Sequence, residues 1–224
     1  MRLDRWLRPL RERLRPAGDH ATVFSRIHRE RHWGDGEGIS GPGSTEARGA
    51  QFRDDLIATL RRLEIRVLVD APCGTCAWTG PVADAVDRYI GVDVVPAIVE
   101  ANRVRHAGAR RAFLVADITR DPLPAADAIL CRDALVHFPI VDVWRALARF
   151  RDSGARYLIT TTFVERRVNA EIRTGRWRPL NLEAPPFLFP PPESTIDERC
   201  DKAGARDKRL AVWRVAALPA LRRR

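Results

Sequence analysis

Between residues 66 and 163 short apolar runs recur along the chain, and stretches with a helical period separate most of them. The runs are 66–70 (RVLVD), 89–93 (YIGVD), 112–117 (AFLVAD), 126–131 (ADAILC) and 157–163 (YLITTTF). Each is rich in β-branched or other apolar residues and has the length of a buried strand. The segments 82–86, 96–106 and 140–151 read as helices, the second with Pro96 at a favourable early position. Strands alternating with helices predict an α/β, doubly wound, mostly parallel Rossmann-like sheet. Two later runs, 194–200 and 210–217, predict an antiparallel pair at one edge, for about seven strands in all.

The flanks follow different rules. Residues 1–20 form a basic amphipathic stretch, and 24–33 place Phe24 and Ile27 at helical spacing. Residues 34–44 are dense in glycine and short polar groups, which predicts a loop. Ser44 or Thr45 can cap a helix over 46–63, whose Phe52, Leu56, Ile57 and Leu60 share one face. Residues 164–192 interrupt the strand–helix rhythm with Pro, Asn, Arg and Trp; a loop that long in a compact domain is usually functional. Its Trp177, Leu180, Leu182, Phe187 and Phe189 argue that it is ordered. The resulting organisation is a helical and glycine-rich lid over 1–45, a domain over 46–218 with an insert at 164–193, and a basic tail at 219–224.

Composition adjusts this picture in two places. The net charge of +10 invites a nucleic-acid partner, but the only lysines among the 39 basic residues are Lys202 and Lys208. The arginines are spread along the chain without interleaved aromatic residues, so a nucleic-acid partner is disfavoured, though not excluded. The basic N-terminus lacks the apolar run of a secretory signal, and no stretch has the length of a membrane span, so a cytoplasmic protein without membrane insertion is expected. The four cysteines, Cys73, Cys76, Cys131 and Cys200, include one CxxC pair but no second pair at zinc spacing, so no metal is expected. Nothing here indicates an oligomeric state.

The segment 67–76 (VLVDAPCGTC) carries the chemistry. It is a strand running into a small-residue loop, the junction at which nucleotide-like cofactors dock in α/β enzymes. The carboxylate of Asp70 at the strand end disfavours a bare pyrophosphate and favours a cationic or amine-bearing ligand. Asp93, about 20 residues past the loop glycine, is placed to bind ribose hydroxyls. Asp117, at the end of the third strand, can accept from an adenine amino group. Three acids ending three consecutive strands line one crevice, which is more specific than any one of them.

With these residues the sequence resembles the class I S-adenosylmethionine-dependent methyltransferases. Residues 67–76 resemble their first motif, 89–93 the acidic end of their second strand, 115–118 the adenine-contacting motif and 127–135 the fourth motif. The resemblance is closer to a bacterial subgroup with the patterns DAPCG (70–74), CRDxLVH (131–137), TTTF (160–163) and WRPLNL (177–182), and it extends over about residues 24–218. Two of the glycine positions of the first motif hold Pro72 and Cys76, so only Gly74 carries over. That departure disfavours a nicotinamide nucleotide, whose pyrophosphate needs close backbone approach, and suits S-adenosylmethionine, which has none.

The resemblance implies S-adenosylmethionine as cofactor and S-adenosylhomocysteine as product. It puts Asp70, Ala71 and Gly74 near the amino-acid end, Asp93 and Val94 at the ribose, and Asp117 with Ile118 at the adenine, with Cys131 and Arg132 at the fourth motif. Trp78 lies beside the cofactor or in the core. In the lid, Trp33 would shield the site while Ser40 or Ser44 bonds the polar end. Asp133 and His137, four apart, would share a face of a helical turn, with His137 as general base and Asp133 orienting it, or as a cap and a packed histidine. Phe163, Asn169, Trp177, Arg178 and Asn181 are the substrate-binding expectations; loop tethering is the rival account. The expected activity is methylation of a hydroxyl or amine on a small metabolite, sugar or natural product. The alternatives are a nucleic-acid or protein methyltransferase and a non-catalytic S-adenosylmethionine-binding module.

Overall fold

A computed structural model describes residues 19–219. The expected basic segment at 1–20 and the tail at 219–224 therefore lie almost wholly outside the described residues.

Seven strands form one sheet in the order β3-β2-β1-β4-β5-β7-β6. They are β1 (Val67–Asp70), β2 (Arg88–Asp93), β3 (Arg111–Val115), β4 (Ala128–Cys131), β5 (Tyr157–Phe163), β6 (Ser194–Asp197) and β7 (Lys208–Arg214). The first five are parallel; β7 runs antiparallel to β5, and β6 antiparallel to β7. The sheet is thus the mostly parallel α/β sheet that the apolar runs predict, with an antiparallel pair at one edge.

The two-residue period of the strands supplies a core on each face. Val69, Ile129, Leu158, Ala211 and Trp213 point to one side, where they join Ile140, Val143, Leu147 and Phe150 of α6 (Ile140–Asp152). Leu68, Leu130, Ile159, Leu210 and Val212 point to the other, where they join Leu56 and Leu60 of α3 (Arg53–Arg62), Val82 of α4 (Gly80–Asp84) and Val99 of α5 (Pro96–His106). Pro96 is at the N-terminus of α5, and Arg103, Arg105 and His106 occupy its last turn, where they complement the helix dipole.

Three elements differ from expectation. The helix expected over 46–63 is broken into α2 (Glu46–Gly49) and α3 by a turn that drives Phe52 into the core edge-on to Trp78 (ring centroids 5.1 Å). A Cβ on Gly49 would stand 2.2 Å from Trp78 Cβ, so this contact requires glycine, a weak helix former, where the helix stops. The strand β3 ends at Val115, so Asp117 lies two residues past it, not at its end. The N-terminal helix, α1 (His20–Arg29), starts four residues earlier than the apolar spacing shows, with Asp19 capping it through Thr22 N.

Candidate cofactor and acceptor site

A cavity of about 520 Å³ opens at the C-terminal ends of the parallel strands. That edge is where open α/β sheets bind ligands. It is roofed by α1 and by two short 3₁₀ turns, Gly36–Ser40 and Pro42–Ser44, which the glycine-rich lid segment forms.

Asp70, at the end of β1, is 2% exposed and accepts a 2.6 Å hydrogen bond from the Tyr89 hydroxyl. Burial raises its carboxyl to about 7, against the lowering effect of Tyr89. Ala71 is buried outside the cavity wall, its N–H given to Leu130 O. Gly74 turns the loop at φ 53°; a Cβ there would meet Ser40 of the roof at 3.2 Å. Cys76 takes the left-handed conformation (φ 55°) in the position where the related motif has a glycine. Gly74 N donates to Asp93 Oδ2 at 3.1 Å and Val95 N to Oδ1 at 2.9 Å. The backbone bonds leave acceptor capacity on the Asp93 carboxylate, and burial raises this carboxyl to about 6. Val94 lines the cavity beside it. Asn102, absent from the sequence reading, fixes the loop from α5 by donating to Gly74 O at 2.7 Å.

Asp117 lines the cavity, as Asp70 and Asp93 do, and is also held by a partner from α1 that the sequence did not show. Both of its oxygens are occupied: Oδ1 accepts from Thr119 N and Oγ1 (2.8 and 2.7 Å), and Oδ2 lies 2.9 Å from Nδ1 of His20. The other nitrogen of His20 lies 3.1 Å from Asp142 Oδ2 on α6. Carboxylates only accept, so both ring nitrogens of His20 carry protons. Burial opposes that charge, but the two aspartates overcome it and raise His20 to about 9. The imidazole stacks on Phe138 at 5.0 Å and 3°. Asp117 therefore anchors the roof helix, with Ile118 lining the cavity next to it. His20, one of two histidines in α1, left no pattern by which to find this.

At the end of β4, Cys131 is fully buried and does not face the cavity; Arg132 does. Arg132 donates to Glu198 Oε2 through Nε (3.0 Å) and Nη2 (2.6 Å) and to Gly43 O of the roof (2.7 Å), with its guanidinium 4.7 Å over Phe52. Asp133 and His137 both line the cavity but do not share a helical turn. Asp133 is left-handed (φ 55°), and only 135–137 form a 3₁₀ turn. Asp133 Oδ2 pairs with Lys208 Nζ at 2.7 Å, and Lys208 pairs with Glu198 at 3.0 Å. Burial opposes the charge on Asp133, but Lys208 and Arg132 hold it well below the usual carboxylate range. His137 is oriented instead by Arg176 O, 3.1 Å from Nδ1, and stacks on Trp33 at 4.4 Å. Because a carbonyl only accepts, Nδ1 carries the proton and Nε2 keeps the lone pair. Burial lowers the pKa of His137 and keeps the ring neutral.

The insert splits the expected acceptor residues. Phe163 and Trp177 line the cavity, edge-to-face at 5.9 Å. Asn169, Arg178 and Asn181 do not. Asn169 donates to the carbonyls of Asn181 and Pro185 (2.8 Å each), Asn181 to Arg166 O (2.8 Å) and Arg178 to Leu135 O (3.2 Å). A loop without regular structure must satisfy its buried backbone by side chains, and these three do so. In the lid, Trp33, Ser40 and Ser44 all reach the cavity, but Ser44 Oγ donates to Gly41 O at 2.7 Å and so braces its own turn. Ser40 Oγ is buried without a partner among the described residues. Trp78 both packs on Phe52 and touches the cavity. Among the described residues no group of three or more His, Cys, Asp or Glu is placed to hold a metal, and no helix is long and apolar enough to cross a membrane.

Residues 68–153, from β1 to the end of α6, match the family described as a methyltransferase domain. Over these residues the chain is similar to methyltransferase domains, and the mostly parallel sheet with acids at its strand ends accords with that similarity. The chain is similar to magnesium protoporphyrin IX methyltransferase from Synechocystis with bound S-adenosylhomocysteine (21% identity over 64% of this chain and 72% of that one, TM-score 0.47). It is also similar to an amino pentose methyltransferase of calicheamicin biosynthesis from Micromonospora echinaspora (21%, 51% and 52%, 0.44). A third similar structure is human N-acetylserotonin methyltransferase with S-adenosylmethionine (16%, 66% and 42%, 0.49). A search of curated proteins finds no significant match.

Proposed function

We propose that the protein methylates a hydroxyl or amine of a small molecule, with His137 as general base. The observation that carries this reading is that His137, its tautomer set by Arg176 O, lines the same cavity as Asp70, Asp93 and Gly74. The residues fit the cofactor on structural grounds. Asp93 keeps acceptor capacity for ribose hydroxyls. The orphaned Ser40 hydroxyl faces the cavity over Gly74. Asp70 is a buried carboxyl that a neighbouring ammonium would ionise.

When bound, S-adenosylmethionine supplies the activated sulfonium methyl. The chain's part is alignment, exclusion of water and proton removal. The roof of α1 and the 3₁₀ turns covers the strand ends. His137 Nε2 takes the proton of the acceptor hydroxyl, and the Nδ1 hydrogen bond to Arg176 O supports the charge that forms on the ring. Asp133, held ionised by Lys208, is too weak a base for this step. A His137→Ala variant tests the reading. Methyl transfer to a panel of hydroxylated small molecules, followed by S-adenosylhomocysteine release, should fall by about 100- to 10,000-fold with cofactor affinity unchanged. Equal turnover in the variant overturns the assignment.

A further inference from the structure

The acceptor side of the cavity holds a donor and an acceptor fixed side by side. Lys208 Nζ uses two of its three protons, on Asp133 Oδ2 and Glu198 Oε2, and the side chain lines the cavity. Asp133 Oδ1 has one long contact, 3.5 Å from Thr161 Oγ1. Each of the two therefore has hydrogen-bonding capacity left over. The pair is also held in place from behind. Glu198 is completely buried and bridges Lys208 to Arg132. Asp133 N donates to Thr161 Oγ1 at 2.9 Å while its backbone sits in the left-handed region. Asp tolerates that region better than most residues, and these contacts hold its side chain in one direction.

The same cavity is lined by flat rings. Trp177 is 52% exposed against Phe163, and Trp33 stacks on the proposed base His137. A site made of aromatic faces with a few placed polar groups selects a ligand having both an apolar face and an ordered set of hydroxyls.

We infer that the acceptor is a saturated ring bearing neighbouring hydroxyls, a pyranose sugar or its glycoside, with Lys208 donating to one hydroxyl and Asp133 accepting from the next. The ring's C–H face lies on the tryptophans, and His137 deprotonates the hydroxyl that receives the methyl group. This inference rests on the methyltransferase reading above and names its substrate class. Lys208 and Asp133 are then binding residues for the acceptor and not for the cofactor.

The test measures S-adenosylhomocysteine release by the full chain with methyl pyranosides of cis- and trans-diol configuration, with the corresponding deoxy glycosides, and with catechol. S-adenosylmethionine binding is followed separately by calorimetry. At least one diol glycoside should be methylated and its deoxy analogue should react about 10- to 100-fold more slowly, as expected for loss of one charged hydrogen bond. Lys208→Met and the isosteric Asp133→Asn should raise KM for that glycoside by a similar factor with cofactor affinity retained. Asn is at ease in the left-handed region, so the second variant tests the pair even where Lys208→Met fails to fold. Turnover of catechol but of no glycoside, turnover of no probe by a protein that binds S-adenosylmethionine, or variants equal to the parent on the glycoside all overturn the inference. Absence of S-adenosylmethionine binding would instead overturn the reading beneath it.

Discussion

His20 Nδ1 lies 2.9 Å from Asp117 Oδ2, and this contact joins the roof helix to the loop after β3. With Asp142 on the opposite ring nitrogen, the imidazolium is a charged bolt between α1, the sheet edge and α6. The folded pKa, about 9, is raised above the ordinary 6.5. The stabilisation is therefore fully present below pH 6.5 and is lost as pH rises through about 9. The difference corresponds to at most ~3 kcal/mol. Thermal melting across pH 6–10 should show a decline in this window that His20→Gln lacks. Parallel curves for the two proteins would contradict the bolt.

Asp70 and Asp93 give the opposite kind of linkage. Their carboxyls are raised, to about 7 and about 6, by burial. Folding therefore takes up protons between the unfolded carboxylate range and these values, and each group costs stability as pH rises through that interval. Ligand binding reverses the trend, because an ammonium or sulfonium favours the ionised acids. Affinity for S-adenosylmethionine should rise from pH 5.5 to 7.5 with net proton release, measurable by calorimetry in buffers of different ionisation enthalpy. Affinity that is flat or falling over this range would remove both acids from the cofactor site.

The pH profile of turnover depends on His137. Its pKa lies below the ordinary histidine value, and the neutral ring is the active form. With a good acceptor, kcat should be level from pH 7 upward and fall only in acid, below pH 6.5. A profile that keeps rising from pH 7 to 9 would point to a different base.

Gly49 is a packing requirement, since a Cβ there would stand 2.2 Å from Trp78 Cβ. Gly49→Ala should destabilise the protein by about 1–3 kcal/mol in denaturant unfolding, against the usual gain from alanine in a helix. A stability at or above that of the parent would show that the Trp78–α2 contact is looser than described.

Most of the sheet was legible because β1, β2, β4, β5 and β7 are largely buried on both faces and read as continuous apolar runs. The loop glycine Gly74 and the strand-end acids Asp70 and Asp93 stand where the motif spacing puts them. What sequence did not show depends on contacts between distant segments. His20 meets Asp117 across 97 positions, and Lys208 reaches Asp133 across 75; neither lies on a periodic face. Asp133 and His137 look like partners at helical spacing, but the left-handed turn at Asp133 separates them and gives each a partner from β7 or the insert. Asn169, Arg178 and Asn181 are polar residues in a loop beside the site, a pattern shared by residues that bind substrate and by residues that satisfy buried backbone.

The most direct measurement is isothermal titration of the full chain with S-adenosylmethionine, S-adenosylhomocysteine and NAD, repeated with Asp93→Ala. Binding of both adenosyl ligands without NAD, weakened by about 10- to 100-fold in the variant, is the predicted result. Binding of NAD in their place, or adenosyl affinity that Asp93→Ala leaves unchanged, would contradict the account of the site.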